Sequence, residues 1–469
     1  MKKIAIIGGG IGGLSAAFYL EQARRSGADL DYTIFEKSDH FGGALLTEEI
    51  DGCIVEGGAD SFLTEKPWAA ELCRELGIED QLIGSNDTER QTFIVHKKRL
   101  TPLPSGMNFF VPTDPKAIQQ SKLFSAKAKK TILRETSFRP TGKSSRDISV
   151  GEFVERHFGI EMVERVADPL LAGIYGGDAR QLSMQAVLPK FLDMEERCGS
   201  LIRAVREMKL AAGAPRPLFT SLKSGMRQLV RAVTAKLPAY ALQTHAEVVG
   251  AKLNGDKWRL VSNGKQHDWD AVVVASPAYA AARLLSPISP ILAKLLRRIA
   301  YSSSATVAFG FSEQAGSTLP ELQGFGFLVP QKEGHRALAC TFVHNKLPGR
   351  VPADRALLRI FFGGVHDDKV LQLKDGDLVS LARAELGALL KVKDEPLFAR
   401  VHRWPRAMPQ YNVGHKDLTQ KIAQAVSELP GLVLAGNAYG GVGIPDCIRQ
   451  GRDAARQLTG TTGNSAPAT

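Results

Sequence analysis

The sequence predicts an α/β protein of two or three lobes that opens with a βαβ unit. A short buried-strand pattern at 3–7 leads through a glycine-rich turn into a helical pattern that ends near Arg25, and 32–36 is typical of a second strand. Helical patterns dominate 149–210, whereas short strands return from about residue 245. The 469 residues are about three times the ~150-residue length typical of one domain, so we expect a sizeable core.

The composition is that of a folded globular chain, with 44% apolar and 23% charged residues. No run approaches ~18 apolar residues, and the chain enters a strand pattern directly after Met1 without a signal peptide, so we expect a cytoplasmic protein. The five cysteines include no CxxC pair and the ten histidines form no HExxH motif. Neither a disulfide framework nor a metal site is predicted.

The chain carries a positive excess of +11, which is most uneven at 116–146, where nine Lys and Arg stand against one acid, Glu135. Such an excess attracts nucleic acid, anionic lipid or a polycarboxylate substrate, and charge alone does not choose among them. The sequence has no zinc-finger spacing and no RNP-like aromatic motif, so nucleic-acid binding is not predicted.

The glycine-rich turn fits the dinucleotide fingerprint GxGxxG through Gly8, Gly10 and Gly13. Gly8 permits a tight turn, Gly10 lets backbone N–H groups approach a pyrophosphate, and Gly13 allows the helix to pack closely on the strand. Glu36 ends the second strand, where a carboxylate accepts ribose hydroxyls.

Further glycines follow this unit, at 42–43 and at 57–58. They indicate FAD rather than NAD, because a minimal NAD-binding unit does not need these additional glycines.

The segment 71–83 is predicted to be helical and 102–115 irregular. Strand patterns cover 246–253, 257–262 and 271–275, and 305–365 is strand-rich. A last strand, 432–435, meets a second glycine-rich turn before a helix at 444–458, which again offers backbone donors to an anion or a polarised ring.

Five longer segments complete the pattern: GADSFLTEKP (58–67), DPLLAGIYGGDARQLSMQAVLPKF (168–191), GFGFLVP (324–330), RWPRAMPQYNVGH (403–415) and GNAYGGVGIPDCIRQG (436–451). Together they resemble the flavin-containing amine oxidase superfamily and, within it, the oxygen-dependent protoporphyrinogen and coproporphyrinogen oxidases of heme synthesis. The resemblance spans residues 3 to about 458.

The resemblance implies a discontinuous FAD site built from both ends of the chain. The residues implied to bind FAD are Gly8, Gly10, Ile11, Gly12, Gly13, Glu36, Lys37, Gly42, Gly43, Gly58, Ala59, Asp60, Val248, Trp404, Gly436, Asn437, Val442, Gly443 and Ile444. His40 and Ala44 depart from the Arg and the Arg or Lys that relatives commonly carry around the glycine doublet. Backbone amides are therefore expected to hold the pyrophosphate.

The resemblance also implies a substrate slot for an uncharged macrocycle with carboxylate arms. Ile174, Phe325, Gly326 and Leu328 are implied as its wall, and Lys66 as the partner of a carboxylate, because a cation in a partly dry cleft makes a strong charge-assisted bond there. Thr92 stands where some relatives carry an arginine for this purpose.

The implied fold class is α/β, with a discontinuous Rossmann-like FAD-binding domain, a mixed-sheet substrate domain and a helical subdomain that contacts membranes in part of the family. We assign 1–85, 216–290 and 406–460 to the FAD-binding domain, 86–215 to the helical basic subdomain, 291–405 to the substrate domain and 461–469 to a disordered tail. Phe109, Phe110, Leu123, Phe124, Ile132 and Leu133 are the apolar residues interleaved with the basic stretch. At most peripheral membrane association is predicted.

The implied activity is the oxidation of a porphyrinogen to a porphyrin, with hydride passing to the flavin, O₂ as acceptor, H₂O₂ as product and no side-chain general base. Coproporphyrinogen III is favoured over protoporphyrinogen IX. The alternatives are a carotenoid desaturase or amine oxidase on the same fold, and a non-enzymatic flavin- or nucleic-acid-binding protein. Oligomeric state and docking of a heme-pathway partner enzyme stay open.

Overall fold

The computed structural model describes residues 1–140, 142, 146–211, 216–312 and 324–460. The predicted disordered tail, and residues 141 and 143–145 of the basic stretch, lie outside the described residues. The strands, in chain order, are β1 (Lys2–Ile7), β2 (Leu30–Phe35), β3 (Thr47–Ile50), β4 (Cys53–Glu56), β5 (Phe62–Leu63), β6 (Leu82–Gly84), β7 (Thr92–His96), β8 (Arg99–Pro102), β9 (Met107–Asn108), β10 (Val111–Pro112), β11 (Phe219–Leu222), β12 (Leu242–Gln243), β13 (Val248–Asn254), β14 (Lys257–Ser262), β15 (Lys265–Trp269), β16 (Ala271–Val274), β17 (Tyr301–Ser312), β18 (Gly326–Leu328), β19 (Ala337–Phe342), β20 (Arg355–Gly363), β21 (Phe398–Pro409) and β22 (Leu432–Leu434).

The α-helices of the described residues are, in chain order, α1 (Ile11–Arg25), α2 (Trp68–Leu76), α3 (Pro115–Gln120), α4 (Ala126–Arg134), α5 (Val150–Phe158), α6 (Ile160–Met162), α7 (Asp168–Tyr175), α8 (Met184–Val187), α9 (Pro189–Cys198), α10 (Leu201–Ala211), α11 (Arg227–Lys236), α12 (Ala278–Leu285), α13 (Pro290–Arg297), α14 (Val343–Lys346), α15 (Asp375–Leu390), α16 (His415–Ser427) and α17 (Ile444–Thr459). A π-helical stretch, Val163–Ala167, joins α6 to α7.

A five-stranded parallel sheet in the order β12-β2-β1-β16-β22 brings both ends of the chain together. Helices cover both of its faces, which is why β16 consists only of buried Ala and Val. One face packs against α1, α2, α11 and α17, and the other against α12, α13, α16 and the β13-β14-β15 sheet. Helices α1 and α17 approach so closely that a Cβ on Gly451 would lie 2.3 Å from the Gly12 carbonyl oxygen. The first and last segments therefore form one unit.

The second large sheet is mixed and has seven strands in the order β21-β17-β20-β19-β18-β7-β8. Only β18 and β7 pair in parallel. Helix α15 covers one face through Leu378, Ala382 and Leu386, which pack with Leu358 and Ile360. The opposite face of β20 lies against the segment that follows β4. Strands β7 and β8 come from the predicted helical subdomain, 86–215, which also supplies the short pair β9–β10 and helices α3–α10.

Helices α3–α10 pack around a core rich in phenylalanine. Four of the six apolar residues that we expected to interleave a membrane contact, Phe110, Leu123, Phe124 and Ile132, are buried in this core, and Phe109 and Leu133 pack against it. That expectation is corrected, because burial in the core already uses these side chains. No helix among the described residues has both the length and the low charge that crossing a bilayer requires.

Candidate active site

Loops that follow β1, β16 and β22 meet at the carboxyl edge of the parallel sheet, which is where α/β sheets bind ligands. The N–H of Ala275 donates to Ile7 O at 2.8 Å, and the N–H of Ala435 donates to Val274 O at 3.1 Å. Gly8 has φ +108°, and a Cβ there would lie 2.9 Å from the Ala275 backbone. Glycine is thus required at Gly8 by both conformation and space.

The space in front of Gly10 is open, as a pyrophosphate site requires. A Cβ on Gly10 would have no neighbour within 4 Å, whereas a Cβ on Gly13 would lie 2.0 Å from Gly8 O, so only the latter glycine is enforced by packing. Helix α1 begins at Ile11, and Gly10, its N-cap, offers no side-chain cap to the first-turn N–H groups. An open cradle before an uncapped helix N-terminus fits the pyrophosphate of a dinucleotide.

The glycine doublet and the C-terminal turn border the same cradle. The N–H of Gly42 donates to Gly9 O at 2.8 Å, and a Cβ on Gly43 would lie 3.5 Å from the Cα of Gly10. On the other side, a Cβ on Gly12 would lie 3.6 Å from the Cα of Gly436. Predicted residues from three distant parts of the sequence are therefore brought together here.

The Glu36 carboxylate is buried and accepts hydrogen bonds from the N–H groups of Gly9 (2.7 Å) and Ser38 (2.8 Å). Its backbone carbonyl accepts from the Ala246 N–H at 2.8 Å, and Ala246 stands two residues before Val248, the predicted adenine contact. Lys37 is exposed. His40 contacts Asp39 at 2.6 Å, and this hydrogen bond lowers the pKa of the Asp39 carboxyl.

The segment Gly57–Asp60 lies between this loop and the seven-stranded sheet. A Cβ on Gly58 would lie 1.9 Å from Ala44 O, while the Trp404 indole Nε1–H donates to Gly57 O at 2.8 Å. Asp60 accepts from Lys346 at 2.9 Å through both carboxylate oxygens. Burial opposes ionisation of Asp60, but the charges of Lys346 and Arg359 outweigh it and hold its pKa below the usual range.

The C-terminal glycine turn is held by Tyr411. Its hydroxyl donates to Asn437 O at 2.6 Å and accepts from the Gly441 N–H at 3.0 Å. Its ring stacks on His415 with centroids 3.9 Å apart, and burial lowers the pKa of His415 to about 4. Val442 and Gly443, which end the turn, are half-buried.

Helix α17 begins at Ile444, which is buried, and Asp446 lies in its first turn. The Asp446 carboxylate accepts from the Gly443 N–H at 3.2 Å and from Lys66 Nζ at 2.6 Å. Lys66, predicted to pair with a substrate carboxylate, thus has a protein partner and remains 35% exposed. Burial and the charge of Asp446 raise the pKa of Tyr175, which connects this corner to α7.

The predicted substrate wall is assembled from α7 and β18. Ile174 is 46% exposed, and a Cβ on its neighbour Gly173 would lie 3.2 Å from a methyl carbon of Leu328. Gly326 has φ +141°, and a Cβ there would lie 1.9 Å from Cys340 O, so the fold itself requires glycine.

Thr92 is the direct strand partner of Gly326 in the parallel pair β7–β18, so the position that departs from some relatives borders the predicted wall. Phe325 precedes this pair and is half-buried.

Sequence reasoning missed Lys346, Arg359, Tyr411 and Asp446. Tyr411 and Asp446 stand inside segments quoted for the resemblance, MPQYNVGH and GIPDCIRQG, but neither was given a role. Lys346 and Arg359 belong to an ordinary strand-rich stretch, and no local motif marks them. Only the folded arrangement places their charges beneath the segment Gly57–Asp60.

A parallel α/β unit with an open cradle before the N-terminus of its first helix is typical of dinucleotide-binding proteins. The sequence model of the flavin-containing amine oxidoreductases matches residues 11–459. The chain belongs to this family, and its cofactor is FAD.

Relatives match along nearly the whole chain. The chain is 34% identical to coproporphyrinogen III oxidase of Bacillus subtilis, with 97% of each chain covered. It is 31% identical to coproporphyrinogen III oxidase of Staphylococcus aureus, covering 97% of this chain and 99% of the relative. It is 30% identical to protoporphyrinogen oxidase 1, chloroplastic, of Arabidopsis thaliana, covering 94% and 85%.

Solved structures of other proteins share this fold. A crystal structure from Exiguobacterium sp. 255-15 has a TM-score of 0.89 and 29% identity, covering 98% of this chain and 99% of that one. Cyclohexylamine oxidase from Brevibacterium oxydans has a TM-score of 0.69 at 15% identity, covering 98% and 99%, which shows the shared fold alone.

Proposed function

We propose that this protein oxidises coproporphyrinogen III to coproporphyrin III, with FAD as cofactor, O₂ as electron acceptor and release of H₂O₂. The observation that carries this proposal is the whole-chain likeness to coproporphyrinogen III oxidases, at 34% identity over 97% of both chains in the Bacillus subtilis case. The alternative is protoporphyrinogen IX, since a chloroplastic protoporphyrinogen oxidase is 30% identical over most of the same length.

FAD supplies the redox chemistry, because a bound flavin takes up two electrons from the substrate and passes them to O₂. The protein's task is to hold the reactants. Backbone N–H groups at the Gly10 turn and the first turn of α1 would bind the pyrophosphate, while Glu36 would accept ribose hydroxyls. Trp404 and Tyr411 fix the segments on either side of the ring by their bonds to Gly57 and Asn437.

The macrocycle would lie against the apolar surface of α7 and β18. Ile174 is exposed and Leu328 and Phe325 are half-buried, so their apolar side chains would form one wall for the flexible macrocycle. Exposed apolar side chains cost free energy in water, and a bound ring recovers it. No side-chain base is assigned. Once the macrocycle has been oxidised, the proton that it loses can pass to solvent.

The carboxylates of the substrate would meet the cations at the rim. Lys66 is proposed as one of them; its bond to Asp446 leaves a third of the side chain exposed, so it can donate to a second carboxylate. Thr92 carries no charge, so a carboxylate beside Gly326 needs a cation from elsewhere. The two porphyrinogens differ in carboxylate count, four against two, which makes charge the feature that separates them.

The experiment is a paired turnover assay on coproporphyrinogen III and protoporphyrinogen IX in air, with porphyrin fluorescence and H₂O₂ measured together. We expect a higher kcat/KM for coproporphyrinogen III and H₂O₂ in step with porphyrin. A preference for protoporphyrinogen IX would establish the alternative. A flavin-loaded protein that converts neither would refute the proposal.

We further propose that the chain works as an FAD-binding unit (1–85, 216–290, 406–460), a substrate unit (291–405) and a helical unit (86–215).

The five free cysteines support a reducing, cytoplasmic location. Contact of the basic stretch 116–146 with anionic membranes is proposed as peripheral and electrostatic. Equal partition of the protein with and without anionic vesicles at low salt would remove it.

A further inference from the structure

A group of buried charges lies between the seven-stranded sheet and the segment Gly57–Asp60. It contains three cations, Lys346, Arg350 and Arg359, and two carboxylates, Glu56 and Asp60. Arg350 is fully buried and donates to Glu56 at 2.8 Å and to Ser221 at 2.6 Å, while Lys346 pairs with Asp60. Each carboxylate therefore has its own cation, and Arg359 is the cation left over.

Arg359 is 4% exposed, and among the described residues no carboxylate lies within 4.0 Å of its nitrogens. Its guanidinium instead donates to the backbone carbonyls of Gly57, at 3.0 Å, and of Gly58. Its Nε has no protein partner in the described part of the chain. The guanidinium carbon of Arg359, Cζ, lies 4.8 Å from the centre of the Phe361 ring. This contact holds the side chain along β20.

The surrounding titratable groups do not cancel this charge. Glu48 pairs with Arg400 at 2.5 Å, so those two charges offset one another. Burial lowers the pKa of His402, which keeps that ring neutral. A cavity of about 10 Å³ borders Glu56, Asp60, Arg350 and Arg359, and it has room for about one water molecule, which leaves the guanidinium weakly hydrated.

The carbonyls that accept from Arg359 belong to the peptide groups Gly57–Gly58 and Gly58–Ala59. In a trans peptide the C=O and N–H bonds point in opposite directions. The N–H groups of Gly58 and Ala59 therefore point away from Arg359, and within the described residues neither donates to a protein acceptor. Ala59 is exposed and Gly58 half-buried, so this part of the segment borders solvent.

We propose that Arg359 is a positioning residue that sets the reduction potential of the bound FAD. Its charge orients and polarises the peptide groups Gly57–Gly58 and Gly58–Ala59, whose N–H groups then stabilise the negative charge that the cofactor gains on reduction. This inference rests on the proposed function, which places Gly58–Asp60 beside the flavin. A buried charge acts strongly here because the interior screens it less than water does.

The test measures the midpoint potential of the bound flavin by spectroelectrochemistry in wild type, Arg359→Gln, Arg359→Lys and Asp60→Asn. Gln keeps hydrogen-bond donors without the charge, so reduction should become about tenfold less favourable, which is about 30 mV for a two-electron couple. Lys keeps the charge and should stay close to wild type. Asp60→Asn removes a negative charge from the same group and should shift the potential upward.

The control is Arg383→Gln on α15, which covers the opposite face of the sheet, so its potential should match wild type. An Arg359→Gln protein that binds FAD at the wild-type potential would overturn the proposal, even if its stability fell. Should Arg359→Gln fail to fold, Asp60→Asn decides: a higher potential supports the proposal, and an equal or lower one overturns it. A wild-type protein that takes up no FAD would instead refute the proposed function.

Discussion

Tyr411 gives the most quantitative prediction about the C-terminal half of the FAD site. Replacing Tyr411 with Phe removes one hydroxyl that bonds to Asn437 O at 2.6 Å and to the Gly441 N–H at 3.0 Å, while the stacking on His415 stays. Each bond contributes about 0.5–1.5 kcal/mol, so the turn loses roughly 1–3 kcal/mol. If half of that free energy is lost from FAD binding, roughly 0.5–1.5 kcal/mol, the affinity for FAD drops about two- to twelvefold.

The assay is titration of the apoprotein with FAD, followed by quenching of flavin fluorescence, with urea unfolding of the apoprotein alongside. Tyr240→Phe is the matched control, because Tyr240 is 57% exposed and its hydroxyl reaches Asp31 only at 3.4 Å. We expect weaker FAD binding for Tyr411→Phe and no change for the control. Equal dissociation constants for wild type and Tyr411→Phe would refute the role given to this turn.

Three further predictions follow from the same geometry. Gly10→Val fills the open cradle, so FAD affinity should fall at least about a hundredfold. The urea midpoint of the apoprotein should fall only slightly, because a Cβ there meets no neighbour and the cost is that of a poorer N-cap on α1. His157 is 1% exposed and its ring bonds to Glu135 at 3.0 Å. Burial opposes protonation of His157, but Glu135 and Glu195 outweigh it and raise the pKa. The stabilisation of the fold by protonated His157 is therefore full below pH ~6.5 and is lost as pH rises through the raised pKa. Urea unfolding of His157→Gln across pH should approach wild type at alkaline pH. Lys66→Met should raise KM for coproporphyrinogen III more than for protoporphyrinogen IX, measured by porphyrin fluorescence.

Controls separate these effects from general damage. Gly376→Val on α15 also places a side chain in open space and should leave FAD binding unchanged. His267→Gln on β15 replaces an exposed histidine and should show no pH-dependent difference. A Gly10→Val protein with normal FAD affinity, a His157→Gln gap that widens with pH, or Lys66→Met with equal KM changes would contradict the respective prediction.

Local patterns predicted the nucleotide-binding end of the molecule well. The opening strand, α1 and the closing helix follow from apolar periodicity and glycine spacing, and the structure places them at 2–7, 11–25 and 444–459. The helix predicted over 71–83 is confirmed only in its first part, since α2 ends at Leu76, where Gly77 adopts φ +77° and stops the helix.

Long-range contacts could not be predicted in the same way. The pairing of Thr92 with Gly326 joins segments more than two hundred residues apart, and no pattern within either segment sets that register. The apolar residues of the basic stretch illustrate the same limit. Their spacing fits a membrane-facing surface and a helical core equally well, and only the packing of helices α3–α10 shows that they are buried.

On the proposed function, both ends of the chain hold one FAD that removes electrons directly from a porphyrinogen. Its most direct test is anaerobic mixing of the FAD-loaded protein with coproporphyrinogen III while the visible flavin absorbance is followed. We expect the flavin absorbance to bleach as coproporphyrin fluorescence appears, and we expect air to restore the absorbance with formation of H₂O₂. A flavin that stays oxidised in the presence of either porphyrinogen would show that FAD does not take electrons from these substrates.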